Sequence, residues 1–247
     1  MSLPDDRAGR PAPPPPGSGA MFDRIAERYD LLNRVISLGL DRRWRRAAVR
    51  ALALSPGDVV LDLATGTADM ALEAVRQQPG VRVIGLDPSP RMLAVGRDKA
   101  RGRDLGGAIA FGEAVAERLP LRDGAVDAAM IAFGIRNVPD RDAALRELAR
   151  VTRPGGRVAI LELTEPRRGL LASVARAWTR RAVPAIGATL SGAAEYRYLQ
   201  RSVAAFPDPV SFGEQMARCG LSPVSIRSLG FGACGLIVAT PRAGDRR

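Results

Sequence analysis

Short apolar runs alternate with amphipathic segments over residues 59–163. The runs are almost continuously apolar, as in strands of a parallel sheet buried on both faces, and the segments between them repeat apolar residues at helical spacing. The runs predict strands at Val59–Leu63, Val81–Leu86, Ile109–Phe111, Val126–Phe133 and Arg157–Leu163. The segments predict helices at 69–77, Pro90–Lys99 and Arg141–Val151. This order predicts an α/β fold with a doubly wound, mostly parallel sheet.

Further elements flank this alternation. Apolar spacing from Met21 onward predicts an N-terminal helix, Gly39 breaks it, and Asp41 could cap a second helix at Arg42–Leu54. Residues 167–205 are predicted to form a mostly helical, arginine-rich insertion, and a helix is expected at 209–219. Val224–Leu229 and Leu236–Thr240 can pair as a hairpin, which would place one antiparallel strand near the C-terminus.

These patterns predict one domain at 21–241. Residues 1–20 are rich in proline and glycine and predict a disordered leader, and residues 242–247 form a basic tail. Neither a signal-peptide core nor a run of about 18 apolar residues is found in the sequence, so we expect a cytoplasmic protein without a membrane-spanning helix.

Composition narrows the chemistry. The chain has a net charge of +11 and no histidine, and Lys99 is its single lysine. A histidine-dependent nucleophile or a histidine-ligated metal is excluded, and no metal site is expected. A general base must be a carboxylate, tyrosine, cysteine, Lys99 or water. Cys219 and Cys234 are interpreted as reduced thiols. The positive charge fits a nucleic acid or an anionic membrane as partner.

The loop after the first strand is the strongest candidate for a cofactor site. It contains Asp62, Gly66 and Thr67, and Asp87 follows at the end of the second strand. A carboxylate at Asp87 could accept hydrogen bonds from ribose hydroxyls. A dinucleotide and S-adenosylmethionine both suit this arrangement, but acidic side chains and a single glycine disfavour a pyrophosphate. We therefore expect S-adenosylmethionine, whose ammonium and sulfonium are positive.

Glu113 and Ala114 follow the third strand at the position where adenine would lie, although Glu113 alone could equally be a surface residue.

Two longer stretches carry a family resemblance. The block MFDRIAERYDLLNRVISLGLDRRWRR at 21–46 and FGIRNVPD at 133–140 resemble the UbiE/MenG family. LDLATGTAD at 61–69, LDPSPRML at 86–93, RELARVTRPGGRVAILEL at 146–163 and YRYLQRSVAAFP at 196–207 also match. The resemblance covers essentially residues 21–241 and implies the Rossmann-like fold of class I methyltransferases.

The family consists of demethylmenaquinone and methoxy-polyprenyl-benzoquinol C-methyltransferases. The resemblance therefore implies a polyprenyl quinol substrate and S-adenosylmethionine contacts from Thr67, Asp87 and the Glu113–Ala114 pair. Three departures stand out: Ala132 replaces a frequent serine, the stretch at 112–120 is about two residues longer, and GLIVATP lacks the usual histidine-containing ending. The longer stretch makes Glu117 a competing candidate for the adenine contact.

The implied reaction methylates a hydroquinone ring carbon, which becomes nucleophilic when an adjacent hydroxyl loses its proton. Arg136 is the leading candidate to stabilise the phenolate and orient the water that takes the proton. A plain ion pair with a carboxylate such as Asp140 is the alternative. Asn137 could position the same oxygen, while Tyr29 and Tyr196 could wall the pocket or simply pack.

Substrate and partners stay open in several respects. We favour demethylmenaquinol, the substrate of the last step of menaquinone biosynthesis, because the arginine bias and proline-rich leader are associated with high-GC bacteria. A benzoquinol, RNA or another small molecule is the alternative; few aromatics and no added RNA-binding module argue against nucleic acid. The basic, apolar stretch at 167–192 could contact an anionic membrane or pack on its own core. The oligomeric state is not predicted.

Overall fold

The computed structural model describes residues 17–165 and 193–242, except for the side chains of 193–196. Seven strands form one sheet: β1 (Val59–Leu63), β2 (Arg82–Asp87), β3 (Ile109–Glu113), β4 (Val126–Ala132), β5 (Thr152–Leu163), β6 (Leu221–Leu229) and β7 (Cys234–Pro241). Their order is β3-β2-β1-β4-β5-β7-β6. β1 to β5 pair in parallel, and β7 is antiparallel to both of its neighbours.

Helices cover both faces of this sheet. They are α1 (Gly19–Ile36), α2 (Asp41–Leu52), α3 (Asp69–Gln77), α4 (Pro90–Arg101), α5 (Arg141–Val151), α6 (Ala193–Ala205) and α7 (Pro209–Arg218). Side chains of α2 and α3 pack on one face, and those of α5 and α7 pack on the other. Successive strand residues alternate between the two cores: Val60 joins the first and Leu61 the second.

The carboxyl ends of the first four strands meet at one edge of the sheet. Leu63 pairs with Leu86, and Asp87 with Glu113, so the loops after β1, β2 and β3 start side by side. The strand order reverses between β1 and β4, which lie next to each other although β2 and β3 come between them in sequence. Such a reversal leaves a crevice above the strand ends, where open α/β sheets bind ligands.

The predicted fold class, with one antiparallel strand near the C-terminus, is confirmed. β1, α3 and α5 have the predicted bounds, and most other elements differ by one to three residues at an end. The Pro154–Gly156 turn lies inside β5, where pairing shifts from Val126–Thr152 to Ala128–Arg157. The chain therefore bulges there and continues the strand.

Two predictions at the N-terminal helices were wrong. Asp41 does not cap α2: Leu40 is the N-cap, and Asp41 is a buried first-turn residue that accepts a hydrogen bond from Ser37 Oγ at 2.9 Å. The predicted leader at 1–20 overlaps α1, which begins at Gly19. Ser18 Oγ caps this helix by accepting a hydrogen bond from Met21 N.

The rest of the predicted leader, the stretch at 167–192 considered for membrane contact and most of the basic tail lie outside the described residues. Within 17–165 and 193–242, no helix combines the length and apolar character needed to cross a membrane.

Phe212 tests the core beneath α7. Its side chain is fully buried, and its ring lies 4.8 Å from that of Phe206. We expect Phe212→Ala to lower the free energy of unfolding by about 3–5 kcal/mol, because it removes apolar contacts and leaves a cavity. Val210→Ala in the same helix is the control, since Val210 is 60% exposed. Urea denaturation measures both, and equal midpoints for the two variants would contradict this packing.

Candidate active site

A buried carboxylate holds the loop after β1 in place. Asp62 Oδ2 accepts hydrogen bonds from Thr65 Oγ1 at 2.6 Å and from Ala71 N at 3.0 Å. Asp62 is only 1% exposed, and burial raises its pKa to about 7 against the opposing effect of these hydrogen bonds and of Arg45. Asp62 therefore lies beneath the loop and shapes it, rather than facing the crevice.

The loop has an unusual backbone. Ala64, Gly66 and Ala68 all have positive φ, at 51°, 54° and 68°. The left-handed region is costly for alanine, so the surrounding contacts must impose it. Thr65 N donates to Leu86 O at 3.0 Å, which anchors the loop to β2. The result is a fixed turn that presents Gly66, whose missing side chain leaves the backbone open to a ligand.

Asp87 stands at the end of β2, facing this turn. Its Oδ2 accepts a hydrogen bond from Gly66 N at 2.8 Å, and its Oδ1 accepts one from Ser89 N at 2.9 Å. Burial raises the pKa of Asp87 to about 6, and the nearby carboxylate of Asp23 adds to the increase. The carboxylate is thus oriented by two backbone N–H groups and retains lone pairs for further donors.

A cavity of about 260 Å³ opens between these loops and the start of α1. Five of the nine predicted site residues line it: Tyr29, Gly66, Asp87, Ala114 and Asn137. The remaining walls are mainly apolar and include Phe22 and Met92. The carboxyl edge of the sheet and α1 therefore enclose a largely apolar site that has a carboxylate on one wall.

Four predicted site residues do not line the cavity. Asp62 lies below the loop, and Thr67 is buried with its Oγ1 donating to Asp30 Oδ1 at 2.5 Å. Glu113 is exposed at the end of β3, whereas Glu117 does line the cavity. Glu117, and not Glu113, is thus the glutamate of the stretch at 112–120 that borders the cavity.

Arg136, the fourth of these, makes a buried ion pair behind the cavity wall. Its Nη1 donates to Glu162 Oε1 at 2.7 Å and to Phe133 O at 2.6 Å, and its backbone N donates to Glu162 Oε2 at 3.2 Å. The two side chains are 8% and 3% exposed. Burial disfavours the guanidinium charge, but the Glu162 carboxylate outweighs it, so the pKa of Arg136 lies above its ordinary value. Asp140, the alternative partner considered from the sequence, instead caps α5 by accepting from Ala143 N.

Two residues near the end of β4, Tyr198 of α6 and Glu162 of β5, were not predicted from the sequence. Tyr198 OH donates to Asn137 Oδ1 at 3.0 Å, and burial raises the pKa of this phenol. Tyr196 was proposed instead; its side chain lies outside the described residues. Side chains two residues apart on a helix point in different directions, so the motif alone could not show which tyrosine faces Asn137. Glu162 had a signal: it is a charged residue within an apolar strand run, where a carboxylate needs a partner.

Solved structures share the architecture of this chain. A putative methyltransferase from Haloferax volcanii, solved in complex with the Trm112 methyltransferase activator, matches with a TM-score of 0.65 and 19% identity, over 92% of this chain and 98% of that one. The [4+2]-cyclase SpnF matches with a TM-score of 0.67 and 18% identity, over 94% and 99%. At such identities the likeness concerns the fold alone, and a cyclase among the matches illustrates that the fold does not decide the chemistry.

The sheet, the loop after β1 and Asp87 define a class I S-adenosylmethionine-dependent methyltransferase. The profile of the ubiE/COQ5 methyltransferase family matches residues 18–240, and the chain belongs to this family.

Curated relatives agree with this assignment. The demethylmenaquinone methyltransferase of Thermus thermophilus is 47% identical over 92% of this chain and 100% of that protein. The ubiquinone/menaquinone biosynthesis C-methyltransferase UbiE of Syntrophotalea carbinolica is 47% identical over 85% and 87%. The resemblance predicted from the sequence motifs is thus confirmed.

The residues present fit S-adenosylmethionine. Asp87 is a buried acceptor at the strand end, the wall contributed by the loop is a glycine, and Met92 supplies an apolar surface. These groups suit ribose hydroxyls, close backbone approach and an adenine ring.

The raised pKa of Asp87 predicts a pH-dependent affinity. The ionised carboxylate accepts hydrogen bonds from hydroxyls, so a ligand held there favours the ionised form and its affinity falls as the pH drops through about 6. By calorimetry, we expect S-adenosylmethionine to bind roughly tenfold more weakly at pH 5 than at pH 7.

Asp87→Asn should bind weakly at pH 7 and lose most of this slope. Asp98→Asn is the matched control, because Asp98 is an exposed carboxylate of α4. An Asp87→Asn variant with the wild-type slope would rule out Asp87 as its source.

Proposed function

We propose that this chain transfers a methyl group from S-adenosylmethionine to a ring carbon of a polyprenyl hydroquinone, and that the substrate is demethylmenaquinol. The Thermus thermophilus and Deinococcus radiodurans relatives are both named demethylmenaquinone methyltransferase, which supports a menaquinone precursor as the substrate. The observation that carries the proposal is the cluster at the end of β4. There, Asn137 lines an apolar cavity, Tyr198 holds its amide, and the Arg136–Glu162 pair stands behind it.

The reaction needs little from the protein beyond alignment and one proton transfer. S-adenosylmethionine supplies a methyl group that its sulfonium has already activated. The ring C–H bond is replaced by a C–CH₃ bond, the S–CH₃ bond breaks, and one proton is released to solvent. An ionised ring hydroxyl pushes electrons onto the carbon, so the enzyme gains rate by holding the ring in line and stabilising that oxygen.

Asn137 is the group we assign to the ring oxygen, and Tyr198 orients its amide. The Asn137 amide lines the cavity, and its Nδ2 lies a long 3.5 Å from Phe133 O, which leaves it free to donate to a ligand. Tyrosine is protonated at neutral pH, and burial raises the pKa of Tyr198 further, so its phenol acts as a hydrogen-bonding group and not as a base. Arg136 also stays charged. The proton therefore goes to water.

The role of Arg136 changes accordingly. Its charge is already matched by Glu162, and its Nη1 also binds the carbonyl of Phe133. We assign it the positioning of the Ile135–Asn137 turn, together with a modest electrostatic effect on the oxygen. Tyr29, which lines the same cavity, is assigned to contact with the substrate ring.

We assign the cofactor contacts to a smaller set than the sequence suggested. Asp87 receives the ribose hydroxyls, Gly66 lets the backbone approach, and Ala114 with Glu117 borders the adenine. Asp62 and Thr67 hold the loop from behind, and Glu113 is exposed outside the cavity.

A benzoquinol remains the second candidate substrate, because the Syntrophotalea carbinolica relative carries both quinones in its name. Either ring bears a polyprenyl tail that partitions into lipid, so we further propose that the enzyme works at the cytoplasmic face of the membrane. The chain's net charge of +11 favours an anionic lipid surface.

Substrate preference can be measured directly. Purified protein with labelled S-adenosylmethionine should methylate reduced demethylmenaquinone in detergent, with a higher kcat/KM than for the demethylated benzoquinol. Transfer should vanish when the ring is kept oxidised, since a quinone has no hydroxyl to ionise. Methylation of RNA without methylation of either quinol would overturn the proposal.

Tyr198→Phe tests the group at the ring oxygen. The variant keeps the ring and loses the hydroxyl that orients Asn137, so we expect kcat to fall by about 10- to 100-fold, as is typical when a group that aligns the substrate is misplaced. The Kd for S-adenosylmethionine should stay unchanged, because Asp87 and the loop are untouched. Tyr198→Phe with wild-type kcat would remove this tyrosine from the chemistry.

A further inference from the structure

Lys99 is exceptional in this chain. It is the single lysine among 37 basic residues, and it lies in α4 with a side chain only 17% exposed. Its Nζ donates to Asp30 Oδ2 at 2.7 Å, to Thr67 Oγ1 at 3.1 Å and to Asp69 Oδ1. These acceptors belong to α1, the loop after β1 and the first turn of α3, so one ammonium joins four segments.

The geometry of this junction suits lysine. An ammonium is a compact charge with three donors that spread to separate acceptors, whereas a guanidinium presents its donors in a flat fork. Thr67 Oγ1 also donates to Asp30 Oδ1 at 2.5 Å, which closes a ring of hydrogen bonds through Lys99. Arginine serves every other basic position in the sequence.

The junction fastens a helix that roofs the cofactor cavity. Phe22 and Tyr29 of α1 line the cavity, with ring centroids 6.1 Å apart in an edge-to-face contact. Asp23 and Asp30 directly follow them and lie two helical turns apart, on one face of α1. Asp23 Oδ1 accepts from Ser89 Oγ at 2.5 Å, so α1 is tied to α4 near both ends.

The electrostatics depend on the ammonium. Asp30 and Asp69 are 23% and 27% exposed and share Lys99 as their partner. Burial opposes the charge of Asp69, yet Arg45 and Lys99 hold its pKa below the ordinary value. Without Lys99, two partly buried carboxylates would face each other across the junction between roof and loop, and their repulsion would favour separation.

We propose that Lys99 is a positioning residue that couples closure of the roof helix α1 to ligand binding at the cofactor loop through Asp30, Thr67 and Asp69. Because Thr67 is adjacent to Gly66, a ligand bound against Gly66 also stabilises the contact between Thr67 and the roof helix. The inference deepens the assigned cofactor site and does not depend on which quinol is methylated.

Binding of S-adenosylhomocysteine to the full-length protein tests this coupling. By calorimetry, we expect Lys99→Met to raise the Kd by about tenfold or more, and limited trypsin digestion to cut faster after Arg24 and Arg28, which are exposed on α1. Saturating ligand should slow this cleavage strongly in the wild type and weakly in the variant. Lys99→Arg should resemble Lys99→Met in both measurements.

Arg101→Met is the matched control, because it removes one positive charge from the same helix at a position whose side chain is 72% exposed. Asp30→Asn supplies a second variant that keeps the Lys99–Asp69 pair, and it should weaken binding and loosen α1 in the same direction. A lower melting temperature with an unchanged Kd and unchanged ligand protection would mean a purely structural lysine and would overturn the proposal. A wild-type protein that binds S-adenosylhomocysteine but methylates no quinol would count against the proposed substrate and leave this coupling intact.

Discussion

The hydrogen bonds of the buried Asp62 carboxylate are the constraint on which the active site depends. They hold Thr65 and the start of α3, and so impose a backbone with three left-handed residues in five positions. That backbone aims Gly66 N at Asp87 and Thr67 Oγ1 at Asp30. One loop thus sets the cavity wall at Gly66, the orientation of Asp87 and the position of α1. The surrounding fold must offset the strain of that loop.

A second buried charge organises the other end of the cavity. Arg136 and Glu162 belong to neighbouring segments after β4 and in β5, and their pairing fixes the turn that carries Asn137. Breaking such a pair leaves an uncompensated charge, so the residue most easily assigned to chemistry is also structural. A ring bound at Asn137, as we propose, would meet neutral hydrogen-bonding groups in front of a matched pair, which suits an apolar ring better than a bare cation would.

Sequence reasoning predicted the fold more completely than the site. Strand ends and helix spacing are local signals, and β1, α3 and α5 were predicted to the residue because buried runs and caps set their bounds. Side-chain partners are tertiary: the sequence offered Asp140 for Arg136, but the carboxylate that reaches it is Glu162, 26 residues away. Likewise, the path of the chain after β3 places Glu117 and not Glu113 at the cavity, and the rotation of α6 makes Tyr198 the partner of Asn137.

The chain has no histidine, but two buried aspartates of the site titrate in the pH range of histidine. Burial places the pKa of Asp87 at about 6 and that of Asp62 at about 7, within the range that imidazole usually covers. Both belong to the cofactor loop or touch it, so the chain carries carboxylates that change charge near neutral pH at the centre of its site. A fall in pH would therefore weaken the binding of the methyl donor, and the rate of quinol methylation would fall with it.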